Sequence, residues 1–175
     1  MDVDQETLFD VELHDQSTED GEYATKLDEM MELVMIFLND CKDTDPDIFA
    51  SLLRAFHRLV VPTNTKCVQF LVFYMASLRP ENADHILGSL FANLEDEREN
   101  ISSRRAYSAH LGTLVGRAPF VSTSSVAHVL EAFCSFMDGY VECFGEESPT
   151  TNMMVNKHAL FYTVFQCACY IISFN

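Results

Sequence analysis

The 175-residue sequence contains no Trp, only 6 Gly and 5 Pro, and 11 basic residues in total. The scarcity of Gly and Pro excludes a turn-rich all-β protein and favours long helices. Apolar residues are abundant, at 48% with 14 Phe, so a sizeable core can form. A chain of this length suits one domain, or one piece of a larger protein. We therefore expect an all-α domain.

Basic residues are scarce, and acidic residues are concentrated at the start of the chain. Residues 1–47 hold 16 of the 27 acidic residues and 2 of the 11 basic ones. Affinity for a phosphate backbone comes mainly from clustered Lys and Arg, so direct sequence-specific nucleic-acid binding is not expected. Residues 1–23 carry nine acids and few apolar side chains, and we predict a disordered acidic arm there. The alternative is that "LFDVEL", residues 8–13, forms a short docking motif.

No sequence motif for catalysis or metal binding occurs. The six Cys form no CxxC pair, and the six His lie at no ligand spacing from one another or from a Cys within a single segment. A phosphate-binding loop and the GxSxG, HExxH and GxGxxG motifs are all missing. Residues 159–174, the most apolar stretch, are shorter than the about 20 residues of a membrane span. We therefore predict a protein that is not an enzyme, uses no metal or cofactor and does not enter a membrane.

Apolar residues recur every three or four positions in seven segments, the pattern of helices with one buried face. These segments are residues 26–40, 47–61, 64–78, 81–97, 102–118, 122–144 and 155–173. After the first, they form three pairs with a repeat of about 35–45 residues, the period of HEAT and armadillo repeats. The pattern predicts an all-α, HEAT-like helical-repeat solenoid of about seven helices over residues 24–175. A compact helical bundle is the alternative.

The stretch "SSRRAYSAHLGTLVGRAPFV", residues 102–121, contains two glycines inside a predicted helix. Ser108, Gly112 and Gly116 recur at four-residue intervals and form a strip of small side chains. Glycine costs a helix about 1 kcal/mol relative to Ala, so we predict that a neighbouring helix packs closely here and offsets that cost. The alternative is a phosphate cradle, which requires glycines in a loop before a helix N-terminus.

Four residues at the start of this helix, Ser102, Ser103, Arg104 and Arg105, are candidate partner-contact or phospho-regulated residues. The two arginines lie in the first turn, where the helix dipole disfavours positive charge. Either the acids of the preceding "EDEREN" or an external acidic partner would then hold them. The two serines are candidates for phosphorylation beside these arginines, and N-capping of the helix is their alternative role.

Five segments together resemble a known family. They are "LFDVEL", "KLDEMMELVMIFL", "KCVQFLVFYMASL", "SSRRAYSAHLGTLVGRAPFV" and "HALFYTVFQCACYIISF". In order and spacing, over residues 8–174, they are similar to consecutive segments of the RNA polymerase I-specific transcription initiation factor family. The resemblance implies an all-helical HEAT-repeat fold and a non-enzymatic role. It also implies binding to RNA polymerase I near its stalk, and to promoter-bound initiation factors on ribosomal DNA. The expected location is the nucleus and nucleolus. The resemblance also implies that phosphorylation of surface serines weakens docking to the polymerase.

Members of this family are several hundred residues long, so the chain resembles a central fragment that is truncated at its C-terminal end. The last helix is almost wholly apolar, and we expect about half of its surface to be exposed in this chain. The functional prediction is an initiation factor, or a fragment of one, that recruits polymerase I to the ribosomal DNA promoter. The alternative is a generic HEAT-type interaction scaffold or truncated paralogue without polymerase binding.

Overall fold

The computed structural model describes residues 18–63, 67–144 and 158–174, and all regular secondary structure in these ranges is helical. The α-helices are α1 (Thr18–Cys41), α2 (Ile48–Ala55), α3 (Gln69–Ser77), α4 (Pro80–Glu95), α5 (Ile101–Arg117), α6 (Thr123–Phe144) and α7 (Ala159–Phe174). The predicted all-α class is therefore confirmed.

The bounds of α1 and α3 differ from those that the apolar pattern predicts. α1 begins at Thr18, so residues 18–23, which the pattern assigns to the acidic arm, are helical. The rest of the predicted arm, residues 1–17, lies outside the described residues. α3 begins at Gln69, five residues later than predicted.

The helix that begins as α2 continues past Ala55 with a different winding. A π-helical turn, Phe56–Val60, is followed by a 3₁₀ turn, Val61–Thr63. Pro62 has no backbone N–H and its ring clashes with a continuing α-helix, which accounts for the end of the segment. The wide turn places Phe56 and Val60 in the core and His57 beside them. π turns are rare and frequently occur at functional sites.

The helices pack as pairs that stack on one another. α4 packs on α5 and α6 packs on α7, as predicted, while the most extensive contact joins α5 to α7 and so stacks these two pairs. α2 packs on α3, α3 contacts α4, and α1 lies against α3. The largest fully buried side chains are Phe133, Met75, Ile86, Leu90, Leu94, Leu111, Leu114 and Ile171. Stacking between successive pairs is the arrangement of a helical-repeat protein.

α7 has a buried face and an exposed face, both apolar. Its core side chains include Val164, Cys167 and Ile171, each 0% exposed. The opposite face is exposed and presents Tyr162, Phe165, Ile172 and Phe174. No helix in the described ranges is both long enough and apolar enough to cross a membrane. The prediction that a large part of the α7 surface is exposed in this chain is therefore confirmed.

Candidate functional site

The strip of small residues on α5 faces α7 at close range. A Cβ atom built on Gly112 would lie 2.9 Å from Cys167 Cβ and 3.0 Å from Cys167 Sγ. A Cβ atom on Gly116 would lie 2.9 Å from the Tyr170 ring. Real Cβ contacts are essentially never so short, so only glycine permits this separation of the two helices. The predicted close packing is therefore confirmed, and both glycines lie within a helix rather than in a phosphate-binding loop.

Ser108 completes the strip and lies fully buried beside the same cysteine of α7. Its hydroxyl has no partner of standard hydrogen-bond geometry among the described residues. Burial raises the pKa of the Cys167 thiol to about 11, and a weaker opposing effect comes from hydrogen bonding by Ser108. The two side chains are therefore close together, and Cys167 is a protonated thiol at neutral pH. Such a thiol packs as a small apolar group rather than as a nucleophile.

Asn100 caps the N-terminus of α5. Its Oδ1 accepts a 2.8 Å hydrogen bond from the backbone N–H of Ser103, and its Nδ2 donates a 3.0 Å bond to Ser103 Oγ. The capping role considered for Ser102 and Ser103 is therefore wrong, because an Asn one position before the helix already fills it. Ser103 is half-buried and engaged with this cap, whereas Ser102 is exposed.

Arg104 binds the end of the preceding helix. Its Nε donates a 2.7 Å hydrogen bond to the carbonyl oxygen of Leu94, in the last turn of α4. The final carbonyl groups of a helix lack intrahelical partners and carry partial negative charge, so a cation is favourable there. This contact offsets the unfavourable position of Arg104 in the first turn of α5.

The acidic residues between α4 and α5 do not have Arg104 as their main partner. Arg98 pairs with Asp96 at 2.8 Å. The pKa of Asp96 is lowered to about 2, mainly by hydrogen bonds from Arg98, with a smaller contribution from the charge of Arg104. The local acids therefore act on Arg104 only at longer range.

Arg105 reaches in the other direction, towards α7. Its Nε donates a 3.1 Å hydrogen bond to Thr163 Oγ1, although much of the Arg105 side chain is exposed. Thr163 is 5% exposed and its hydroxyl also donates to the Ala159 carbonyl at 2.9 Å. The four predicted residues thus lie in the first turn of α5 but differ in their contacts: Arg104 bonds to α4, Arg105 bonds to α7, Ser103 bonds to the cap, and the Ser102 side chain is exposed.

At the opposite end of α5, a third arginine contacts α7. The Arg117 guanidinium lies 5.7 Å from the ring centroid of Tyr170 and 5.6 Å from that of Phe174. A cation over an aromatic face at this distance is attracted by the ring quadrupole. The sequence places Arg117 correctly near the helix C-terminus, but the aromatic partners become visible only when α5 and α7 are packed.

Two half-buried histidines that are 53 positions apart in sequence lie near the π turn, close enough for the charge of one to affect the other. His57 Nε2 is 2.8 Å from Ser89 Oγ, and its ring centroid is 5.5 Å from that of Tyr107. The His110 ring lies 5.0 Å from Phe56, edge to face. Burial lowers the pKa of His57, and it lowers the pKa of His110 to about 4, with a further contribution from His57.

Both histidines are therefore neutral at pH 7. Sequence spacing could not identify this cluster, because His57 and His110 lie on different helical segments. No group of three or more His, Cys, Asp or Glu side chains that could hold a metal ion occurs in the described part of the chain.

The stacked helix pairs define the protein as a helical-repeat scaffold. The family model described as RNA polymerase I specific transcription initiation factor RRN3 matches residues 1–175. The chain therefore belongs to the RNA polymerase I-specific transcription initiation factor family, as the resemblance predicts.

Curated relatives from three organisms agree with this assignment. The chain is 26% identical over 162 residues to the Mus musculus RNA polymerase I-specific transcription initiation factor RRN3, covering 87% of this chain and 24% of that protein. It is 24% identical over 164 residues to the Schizosaccharomyces pombe factor, covering 90% and 27%. It is 29% identical over 169 residues to the Saccharomyces cerevisiae factor, covering 88% and 26%. The chain spans about a quarter of the length of these relatives.

A solved structure has the same fold. The chain superposes on the crystal structure of RNA polymerase I transcription initiation factor Rrn3 with a TM-score of 0.77 at 24% sequence identity. The match covers 89% of this chain and 34% of that one. The predicted helical-repeat architecture is therefore confirmed over most of the chain.

Proposed function

We propose that the chain acts as a non-enzymatic scaffold in the recruitment of RNA polymerase I to the ribosomal DNA promoter. It would bind polymerase I and promoter-bound initiation factors in the nucleus and nucleolus, without direct sequence-specific contact with nucleic acid. The observation that carries this proposal is the family match over all of residues 1–175. The stacked helix pairs support it, because solenoids present extended surfaces for protein partners.

We propose the start of α5 as a partner-contact and regulated surface, centred on Ser102. Ser102 is the second residue of α5, is exposed, and is followed closely by Arg104 and Arg105. A phosphate there would add about −1.5 to −2 charges at a helix N-terminus, where negative charge is favourable. Phosphorylation would thus leave α5 folded and change the charge that a docking partner meets. Ser103 is a weaker candidate because its hydroxyl accepts from Asn100.

The test is a quantitative pull-down of the chain with purified RNA polymerase I. We expect the unmodified chain and S102A to bind and S102D to bind at least about tenfold more weakly, a loss of about 1.4 kcal/mol. The matched control is S124D, an exposed serine in the first turn of α6. Circular dichroism of each variant would show that the helical content is retained.

Two outcomes would count against the proposal, and they are distinguishable. If the unmodified chain failed to bind while a full-length relative bound, the chain would be an interaction scaffold without polymerase contact. If S102D and S124D bound as well as the unmodified chain, polymerase binding would stand but the surface around Ser102 would not be part of it.

A further inference from the structure

α1 exposes far more apolar surface than a helix of a stable monomer normally does. Of its described side chains only Leu38 is fully buried in the core, at 3% exposure. The large apolar side chains that are exposed on α1 are Tyr23, Leu27, Met30, Leu33, Val34, Ile36 and Phe37. Exposed apolar side chains in such number on one helix are typical of an interaction surface.

A groove with a volume of about 820 Å³ lies between α1 and α3, and of the exposed apolar side chains of α1 Ile36 lines it. Its apolar lining includes Met31, Met35 and Ile36 from α1, and Phe70 and Tyr74 from α3. Methionine side chains are flexible and polarizable, so such a floor adapts to the side chains of an incoming partner.

The length of the groove suits a helix. Along α1 it extends from Asp28 to Asn39, which at 1.5 Å per residue is about 16 Å, or three turns. An amphipathic helix that lays its apolar stripe in such a groove is one of the recurring modes of peptide recognition.

The charges around the groove decide which helix fits. Asp28 and Glu32 line it, Glu29 lies on the same helix, and none of the three forms an ion pair with another described residue. The only base of α1, Lys26, is already paired with Glu22 at 2.6 Å. The charged side chains that line the groove in the described residues, Asp28 and Glu32, are therefore both acidic. Complementary charge on a partner would direct and orient its docking.

We propose that this groove binds an amphipathic helix of a partner protein whose apolar stripe is flanked by Lys or Arg. The charge argues against two other occupants. Residues 1–17 contain six acids and no Lys or Arg, and a second copy of α1 would bring the same acids to the groove. Ser102–Arg105 lie on α5 and do not line the groove, so the groove is separate from the surface that we propose for polymerase binding.

Fluorescence anisotropy with the full 175-residue chain tests the proposal. One probe is a labelled peptide of about four helical turns, with Leu at helical spacing and Lys elsewhere. The second probe replaces every Lys with Glu. We expect the Lys peptide to bind, with affinity that falls as rising salt shortens the screening length, and the Glu peptide not to bind.

Variants of the chain locate the binding. The double variant D28K/E32K should weaken binding of the Lys peptide by at least about tenfold, and I36S should weaken it several-fold. The control E131K/E142K makes the same change in net charge with two exposed acids of α6 and should leave the affinity unchanged. All five substituted side chains are exposed, and thermal melting would check that each variant folds.

Several results would overturn the proposal. Equal binding of both peptides would indicate unspecific apolar adhesion, and equal weakening by the two double variants would indicate attraction to net charge alone. A dimer in sedimentation experiments that the Lys peptide dissociates would make a second copy the occupant. Tighter peptide binding by F9D would assign the groove to the chain's own amino-terminal residues.

Discussion

At the scale of single residues, two arginines that are adjacent in sequence bond to different helices. Arg104 bonds to the last turn of α4 and Arg105 to Thr163 of α7, so one turn of α5 joins two neighbouring helices. Both guanidinium groups lie where the dipole of α5 disfavours them, and their partners supply the compensation. Arg117 joins the other end of α5 to α7 through two aromatic rings. These contacts explain the arginines of the stretch without requiring an external acidic partner.

The half-buried histidines give the protein a pH dependence at the residue scale. Burial lowers the pKa of His110 from 6.5 to about 4 in the folded chain. The unfolded chain then binds more protons between these values, so the contribution of His110 is complete above pH 6.5 and is lost as pH falls towards 4. His57 shifts in the same direction and adds to the loss.

We predict that His110 accounts for about 2 kcal/mol of the stability lost between pH 7.5 and pH 5. The variant H110Q cannot titrate, so its free energy of unfolding in urea should fall by about that much less over this interval. The matched control is H128Q, because His128 is exposed on α6. A pH dependence that is the same in H110Q and in the unmodified chain would show that His110 is not buried as a neutral ring.

At the scale of the helices, α5 is the element on which the packing depends. It contacts α4, α6, α7 and the turn at residues 61–63, and its glycines bring the α7 backbone close. The nearest α7 atom to a Cβ on Gly112 is Cys167 Cβ at 2.9 Å, which is bonded directly to the backbone, so relief would require movement of the α7 backbone. At Gly116 the nearest atoms belong to the Tyr170 ring, which is a side chain and moves more easily.

We predict opposite effects of the same substitution at two glycines. G112A should lower the free energy of unfolding by about 1–3 kcal/mol, because overpacking at Cys167 exceeds the gain in helix propensity. G88A, in α4, should raise it by up to about 1 kcal/mol, since a Cβ there meets no atom within 4 Å. Urea unfolding of both variants measures the difference. Stabilisation by both substitutions would mean that α5 and α7 are further apart than described.

At the scale of the whole molecule, burial is uneven along the chain. The helices α4, α5 and α7 contribute most of the described side chains at 0% or 1% exposure, whereas Leu38 is the one core side chain among those described in α1. Regions with few buried apolar contacts open locally at a lower free energy than the core does. The acidic, apolar α1 therefore lies at the least stable side of the described structure.

We predict that amide hydrogen exchange follows this gradient. The amides in the middle of α5 should exchange only through global unfolding, while those of α1 should exchange at least about tenfold faster. Mass spectrometry of peptic fragments would resolve the two helices. Protection of α1 equal to that of α5 would show that another part of the chain covers its exposed face. If the Lys peptide of the groove experiment slowed exchange in α1 alone, the position of its binding site would be supported independently.

Much of the fold could be read from the sequence because helix periodicity is a local property. Apolar spacing identifies all seven described helices, and the bounds of α4, α5 and α6 agree within two residues. The four-residue spacing of Ser108, Gly112 and Gly116 also predicts the close helix contact, since it places three small side chains on one face. The order and spacing of sequence segments also predict the family, and the family model that matches residues 1–175 confirms it.

Only the tertiary structure decided which residues meet across helices. Arg105 and Thr163 are 58 positions apart, His57 and Ser89 are 32 apart, and no local pattern relates them. The groove between α1 and α3 likewise depends on how two helices lie against each other. Side-chain spacing specifies the face of a helix, but the partner of that face is set by the packing of the whole chain, which minimises exposed apolar surface and unpaired polar groups together.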